Sequence, residues 1–330
     1  MSKVFSPLKP YEEQSKKDWV KKFLSENQSN KIENIQHKIN NKLFDPIYFN
    51  DEVKIKNTFL KNKSWLISTD IIVDKITQAN KNAIIAISEG ANSICFNLKN
   101  KNISRIQINK LLKDLNLKKV NIEFANCTNS KAILKYLSQK KDSKNIRGCI
   151  KGLKLDKKEY LKVKNLLPNF KFFFIQVEKL ILKEIEKKIP PYSTHKNLQF
   201  HFRLSNNFMF EISKIRSFRN WYSSIYNEPA FVSCETNVTK QKYHILIQTT
   251  IQAFAAIVGG CDSLNIILKK ENTLGVKQQL ILKHEGLLDK VTDPFFGSNY
   301  IEKLTNFLIP INNNIKVKEK IDSWLSPEGI

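Results

Sequence analysis

Four stretches that follow predicted strands carry polar side chains suited to chemistry. They comprise residues 99–102, 125–128, 205–207 and 235–237. In a parallel α/β protein the loops after the strands converge at one face, where barrel enzymes hold their active sites. Glu235 and His244, nine positions apart, would form an acid–base pair if that face brought them together.

The simpler interpretation is that Glu235 is a loop carboxylate, that His244 lies at the start of a helix, and that the two side chains do not contact each other. Cys234 with His244 would be a nucleophile pair, but Cys234 ends an apolar strand, where burial raises the pKa of a thiol and lowers its reactivity. The chain has no glycine-rich phosphate loop, no HExxH motif and no GxSxG motif. The residues therefore predict no catalytic, cofactor-binding or metal-binding site on this chain.

Eight apolar runs are predicted as strands, with helices between them, an order typical of a parallel α/β protein. The runs cover residues 65–68, 93–98, 120–124, 148–152, 170–175, 200–204, 230–234 and 263–268. The clearest helix covers residues 245–258 and ends at Gly259 and Gly260, as a left-handed cap would.

The helix predicted after the sixth strand starts near residue 208. Its apolar face holds Phe208, Ile212, Ile215 and Tyr222. Lys214 and Arg216 lie off that face. Arg216 and Arg219 are therefore expected either in solvent or paired with acidic loops or a partner chain.

The composition limits the class of protein. The 330 residues are 41% hydrophobic, enough for a sizeable core, and no apolar run reaches the roughly 18 residues that span a bilayer. The first residues lack the apolar core of a signal peptide. Five cysteines are scattered without a CxxC motif, at Cys95, Cys127, Cys149, Cys234 and Cys261. They predict reduced core residues of a cytoplasmic protein.

The formal net charge of +24 would allow nucleic-acid or membrane binding by charge alone. Nearly all of this charge is lysine, however, and only five arginines occur. The basic runs contain few aromatic residues on which bases could stack. We therefore expect solvated lysine faces, with no nucleic-acid and no membrane partner; a steep loss of binding with salt would reveal the contrary.

The first fifty residues are too poor in apolar side chains to form a core of their own. Residues 19–24 are predicted as a short amphipathic helix, and an Asn-rich stretch follows. The segment is either a frayed tail or an arm that gains order by packing on a barrel or a partner. His37 has no companion at metal-ligand spacing and is expected at the surface.

Three separated blocks carry a resemblance to a known family. They read FMFEISKIRSFRNWY from Phe208, QTTIQAFAAIVGGCDSLNI from Gln248 and DKVTDPFFGSNYIEKLT from Asp289. In this order and spacing they resemble the barrel domain of methylmalonyl-CoA mutase, and in particular its small, noncatalytic subunit. The resemblance covers most of the chain, more faintly between Asn100 and Lys196.

The resemblance implies an α/β fold of the (β/α)8 TIM-barrel type with an N-terminal extension and without a cobalamin-binding domain. The implied organisation is an arm at residues 1–50, a barrel at 51–310 and a tail at 311–330. Residue order alone supports only an α/β protein; the count of eight strands is partly guided by the family.

The chain departs from the catalytic members of the family at the positions that bind ligand. Where their sixth strand carries an arginine and a serine for the acyl-CoA, this chain has Asn197 and Gln199. Neutral amides cannot supply the charge-assisted hydrogen bonds of arginine. Phe296 replaces a glycine of the family's DPxGGSYY turn, and no DxHxxG cobalamin motif occurs.

The resemblance thus implies a noncatalytic partner subunit in a heterodimer. The catalytic large subunit would bind adenosylcobalamin and convert methylmalonyl-CoA to succinyl-CoA, so this chain belongs to an isomerase and is inactive alone. The alternative is a stand-alone barrel enzyme, or a binding protein for another anionic ligand.

Overall fold

The computed structural model describes residues 14–27, 31–39, 42–49, 64–178, 180, 182–237, 244–268 and 272–308. The N-terminal segment forms α1 (Lys16–Glu26) and an antiparallel pair of short strands, β1 (His37–Ile39) and β2 (Lys42–Phe44). Ser15 caps α1 through a reciprocal capping box with Asp18.

A parallel sheet makes up the body of the protein. Its strands are β3 (Leu66–Ile72), β4 (Ser93–Lys101), β5 (Asn121–Cys127), β6 (Arg147–Ile150), β7 (Phe170–Lys171), β8 (Phe173–Val177), β9 (Leu198–Arg203), β10 (Val232–Glu235) and β11 (Ser263–Asn265). Each of the eight predicted runs overlaps a strand of this sheet, with the fifth run covering both β7 and β8.

The sheet closes on itself through its fifth strand. The hydrogen-bonded order runs β7-β6-β5-β4-β3-β11-β10-β9-β8, with β7 and β8 at opposite ends. Only Phe172 separates these two pieces in the chain, so they form one interrupted strand that pairs with β6 on one side and β9 on the other. The sheet is therefore an eight-stranded parallel barrel, and the predicted fold is confirmed.

Helices follow the barrel strands and cover the outside of the sheet. They are α2 (Ile76–Ser88), α3 (Arg105–Leu111), α4 (Ser130–Ser138), α5 (Lys157–Val163), α6 (Leu182–Lys188), α7 (Phe208–Tyr226), α8 (Ile245–Val258) and α9 (Asn272–His284). The bounds of α8 match the prediction, and the left-handed residue after it is Gly260, with φ of +91°.

An additional layer covers α7. The last helix, α10 (Asn299–Leu308), packs across it, and the N-terminal strands pack in turn on α10, where Ile39, Phe44 and Leu304 form a small buried cluster. Asn299 Nδ2 donates to the carbonyl of Tyr48 at 2.9 Å. His37, exposed as predicted, lies 3.1 Å from the Tyr300 hydroxyl through its Nδ1.

Two arginines of α7 are buried in ion pairs. Arg216 is fully buried and donates to Asp293 and to Glu302 of α10. Arg219 is also buried and donates to Asp262. The Asp262 carboxylate also accepts from the backbone N–H of Val232 at 2.7 Å. The expected pairing with acidic groups is confirmed for both arginines, and the expectation of solvent exposure is wrong. Arg216 is buried because α10 covers it, whereas Arg219 is buried against the segments that precede β10 and β11.

Within the described ranges, no helix combines the length and the apolar character needed to cross a bilayer.

Candidate functional site

Polar and apolar side chains alternate along the barrel strands. In β9, the rings of Phe200 and Phe202 point outward and pack on Phe218 of α7, with centroid distances of 4.9 and 5.1 Å. The residues that alternate with them, Gln199 and His201, therefore point into the barrel, because successive strand residues face opposite sides. The interior of this barrel is lined with polar groups.

We call these inward-facing polar residues the lumen cluster. Its members touch one another and are drawn from six barrel strands and the residue that follows β6: Asp70, Cys95, Asn121, Glu123, Cys149, Lys151, Gln199, His201, Ser233 and Glu235.

Glu123 is the centre of the lumen cluster. Its Oε1 accepts from Asn121 Nδ2 at 3.4 Å and from Gln199 Nε2 at 3.1 Å, and its Oε2 lies 3.7 Å from Lys151 Nζ. Gln199 also donates to Ser233 Oγ at 3.1 Å. Because β5 and β9 are not neighbours in the sheet, the bond from Gln199 to Glu123 crosses the lumen.

His201 lies beside the end of β10. Its Nδ1 is 3.1 Å from Ser233 Oγ, and its Nε2 is 3.8 Å from Glu235 Oε2, too far for a hydrogen bond. Burial lowers the pKa of His201 to about 3, and the positive charges of Lys151 and Arg203 act in the same direction. The imidazole is therefore neutral at physiological pH.

Burial and mutual interactions shift the pKa values of Lys151 and Asp70, two other charged groups of the cluster. Burial works to lower the pKa of Lys151, but the acids around it, including Cys95, Glu123 and Asp70, raise it well above its ordinary value. Burial raises the pKa of the Asp70 carboxyl, with Lys151 opposing. Lys151 is thus held as a cation, and its Nζ lies 5.4 Å from the centre of the Phe174 ring.

Three groups of the cluster, His201, Lys151 and Glu123, are poorly suited to proton transfer near neutral pH. A general acid or base works best with a pKa near the working pH. His201 stays neutral, Lys151 stays charged, and Glu123 accepts hydrogen bonds from two amides and forms an ion pair with Lys151. Among the described residues no group of three His, Cys, Asp or Glu side chains is arranged to hold a metal ion. The polar groups around Glu123 and Gln199 are bonded to one another.

Replacing His201 with glutamine should flatten the acid side of the stability profile. The folded-state pKa of about 3 lies below the ordinary 6.5, so the unfolded chain binds the extra proton as pH falls. The neutral His201 imidazole makes its full contribution to the free energy of unfolding above pH 6.5. That contribution is lost progressively as the pH falls toward 3. Between pH 7 and pH 5, this protonation should lower the free energy of unfolding of the wild type by about 2 kcal/mol. The variant should not show this loss.

Urea unfolding at both pH values measures this difference. The exposed His244, changed to glutamine, is the matched control. Equal loss in wild type and His201→Gln would contradict the neutral buried imidazole.

The residues that the sequence suggested as catalytic pairs have other surroundings in the structure. Glu235 contacts His201 and, at 3.3 Å, Arg203 Nε, while His244 is exposed at the start of α8. Cys234 is buried against Cys261, and burial raises the pKa of its thiol well above the ordinary value, as predicted for an unreactive cysteine.

Asn197 and Gln199, the two amides that the resemblance aligns with ligand-binding residues, lie at different depths in the barrel. Asn197 precedes β9, donates to the carbonyl of Phe170 at 2.7 Å and accepts from the Tyr160 hydroxyl at 2.9 Å. It therefore lies at the N-terminal end of the strands, away from the face where barrel sites form. Gln199 is inside the lumen.

The polar loops predicted at the C-terminal face bond to each other and to α8. Asn206 Oδ1 accepts from Gln248 and from Gln252, both at 2.7 Å, and Gln252 also donates to the carbonyl of Asn237 at 3.0 Å. Lys99 pairs with Asp74 at 2.7 Å. Part of the 235–248 loop, residues 238–243, lies outside the described residues.

Sequence reasoning missed the lumen cluster, although a signal was present. Strands of a parallel barrel are buried on both faces and usually read as continuous apolar runs. The runs here alternate instead, as in Asn121-Ile122-Glu123-Phe124. A charged residue within a barrel strand is the mark of a polar lumen.

Comparison with known proteins gives a consistent result. The family model described as Methylmalonyl-CoA mutase matches residues 158–323, half of the chain. The methylmalonyl-CoA mutase small subunit of Porphyromonas gingivalis is 27% identical over 318 residues, covering 76% of this chain and 51% of that protein. The methylmalonyl-CoA mutase of Rhizobium meliloti is 33% identical over 133 residues, covering 34% of this chain and 19% of that protein.

The chain therefore spans about half the length of the first relative and about a fifth of the second. Among solved structures, the dihydropteroate synthase of Yersinia pestis aligns with a TM-score of 0.38 at 10% identity, covering 76% of this chain and 98% of that one. A likeness of this size carries no argument about function.

Proposed function

The chain belongs to the methylmalonyl-CoA mutase family, and from this we propose that it acts as the noncatalytic small subunit of a heterodimeric mutase, where it stabilises a catalytic large subunit. The holoenzyme would convert methylmalonyl-CoA to succinyl-CoA in the cytoplasm. The name of the Porphyromonas gingivalis relative supports the part of the proposal that concerns a subunit pair.

The observation that carries the noncatalytic role is the environment of Gln199. It replaces a residue that engages the acyl-CoA in the catalytic members, and it is neutral, buried and bonded to Glu123 and Ser233. A glutamine committed in this way cannot supply a charge-assisted contact to a phosphate or carboxylate. We therefore assign no catalytic, cofactor-binding or metal-binding residue to this chain.

Adenosylcobalamin, the cofactor of the family, supplies radical chemistry when bound. The lumen cluster does not fit this cofactor, because the bond from Gln199 to Glu123 crosses the barrel and His201 is buried behind Ser233 and Glu235. The partner subunit is the proposed site of the cofactor, with residues 51–310 of this chain acting as a barrel scaffold and residues 1–50 as its arm.

Co-expression with a candidate catalytic mutase chain tests the proposal. We expect a one-to-one complex by size-exclusion chromatography that is active with added adenosylcobalamin, while this chain is inert by itself. The catalytic chain should also unfold at a higher temperature in the complex than alone, because a partner that binds only the folded state stabilises it.

Each chain run alone is the control. Mutase activity of this chain by itself would contradict the noncatalytic role. The absence of a complex at micromolar concentrations would contradict the partner role and would direct attention to ligands of a lone barrel.

A further inference from the structure

The outer face of α8 is unlike that of an ordinary barrel helix. Its 14 residues contain no Asp, Glu, Lys or Arg, although 26% of the whole chain is charged. Two isoleucines one turn apart, Ile247 and Ile251, are 61% and 43% exposed. A surface helix normally carries charged residues on the side that meets water.

These isoleucines belong to a continuous apolar surface. Residues 247, 251 and 254 recur at helical spacing on one face of α8. Phe254 stacks on Phe208 at a centroid distance of 5.4 Å, and Phe208 contacts Phe295 edge to face at 6.2 Å. Phe296, next along the chain, is half exposed. We call this surface the apolar strip: Ile247, Ile251, Phe254, Phe208, Phe295 and Phe296.

The inner end of the apolar strip is firmly anchored. Phe208, Phe254 and Phe295 pack on a buried cluster that contains Ala255 and Val258 of α8. The aromatic end of the strip is thus held between α7, α8 and the turn before α10, and its three packed rings need little ordering when a partner covers them. A preorganised surface of this kind loses less conformational entropy on binding.

The net charge indicates what covers the strip. At +24, two copies of this chain facing one another would repel, which disfavours a homodimer. A strip without charges requires an apolar patch opposite, and a chain with this surplus of lysine favours an acidic partner around that patch. The occupant that fits both conditions is a different, acidic chain.

We propose that the apolar strip is the docking surface for the catalytic mutase chain, which presents an uncharged apolar patch and has a negative net charge. The assignment rests on the proposed function and adds to it the surface of this chain that the partner covers. It predicts that the energetic centre of the interface lies at Ile247 and Ile251, whose side chains are the exposed aliphatic part of the strip.

An Ile251→Asp variant, titrated against the catalytic chain by isothermal calorimetry, tests the assignment. We expect the dissociation constant to rise about tenfold or more, because a buried unpaired charge is costly at the centre of an interface. The matched control is Ile106→Asp on α3, which changes an isoleucine that is 70% exposed on another side of the barrel and should leave the dissociation constant within about twofold.

The other outcomes are distinct. If wild type binds and Ile251→Asp binds equally well, the docking surface is wrong while the proposed function stands; if wild type does not bind, both fail. A homodimer of the isolated chain that Ile251→Asp dissociates would assign the strip to a second copy instead. A large fall in the unfolding temperature of isolated Ile251→Asp would show that the chain itself, such as residues 309–330, covers the strip. A catalytic chain of basic net charge would also overturn the proposal.

Discussion

Replacing Arg216 with methionine is expected to lower the free energy of unfolding by about 3–5 kcal/mol. The guanidinium is 0% exposed between α7 and α10, where it donates to Asp293 and Glu302. Methionine fills a similar volume but donates no hydrogen bond. Two carboxylates then remain in a dry site without their cation, the costly case for a buried ion network.

The loss should depend on pH in a defined direction. Burial already raises the pKa of Glu302, and Arg216 opposes this shift. Without Arg216, Glu302 takes up a proton more readily, and a neutral carboxyl no longer needs a cation. The difference in free energy of unfolding between wild type and variant is therefore largest at neutral pH. It decreases as the pH falls toward the ordinary carboxyl pKa of about 4.5.

Urea unfolding followed by circular dichroism at neutral and mildly acidic pH measures both effects. The matched control is Arg105→Met, at an exposed position on α3, for which a change within about 0.5 kcal/mol is expected. A loss below about 1 kcal/mol at neutral pH in Arg216→Met would mean that water or another cation reaches the two carboxylates.

Replacing Gly148 with alanine should cost about 4 kcal/mol or prevent folding altogether. Gly148 lies in β6 with φ of +153°, and a Cβ built there would be 1.8 Å from the carbonyl oxygen of Ile122. That oxygen belongs to the backbone of the neighbouring strand β5, so the contact can be relieved only by moving the two strands apart. The barrel closure would then be strained.

Gly152 supplies the control for this prediction. It also has a positive φ, +80°, but no atom lies within 4 Å of a Cβ built there. Gly152→Ala should therefore show the backbone strain alone, about 1 kcal/mol. If the two variants unfold at the same urea concentration, steric contact with Ile122 is not what requires glycine in β6.

Local signals predicted some elements closely. The bounds of α8 follow from an uninterrupted helical run that stops at two glycines. Glycine adopts the left-handed conformation of Gly260 without steric cost, so the end of this helix is visible in the local sequence. The strands were found for a similar reason, because a short apolar run bounded by polar residues is recognisable without its neighbours. Strand ends were less accurate: the last predicted run extends to residue 268, whereas β11 stops at Asn265.

Distant contacts defeated the same reasoning. Arg216 falls off the apolar face of α7 by periodicity, and it is buried because its partners arrive from 77 and 86 residues further along the chain. Gln199 lies just before the predicted sixth run, residues 200–204, although β9 begins at Leu198, and its bond to Glu123 joins residues 76 positions apart across the barrel. Neither pairing leaves a mark in the local pattern.

The sequence by itself determined the alternation of strands and helices and the family to which the three blocks point. Those features depend on residue type and on spacing within one element. The tertiary structure alone decided that polar groups bonded to one another line the lumen, that Arg216 is buried beneath α10 and that Ile247 and Ile251 of α8 are exposed within the part of the chain that the structure describes. These depend on which elements the closed sheet brings together, and burial and long-range pairing follow from that arrangement.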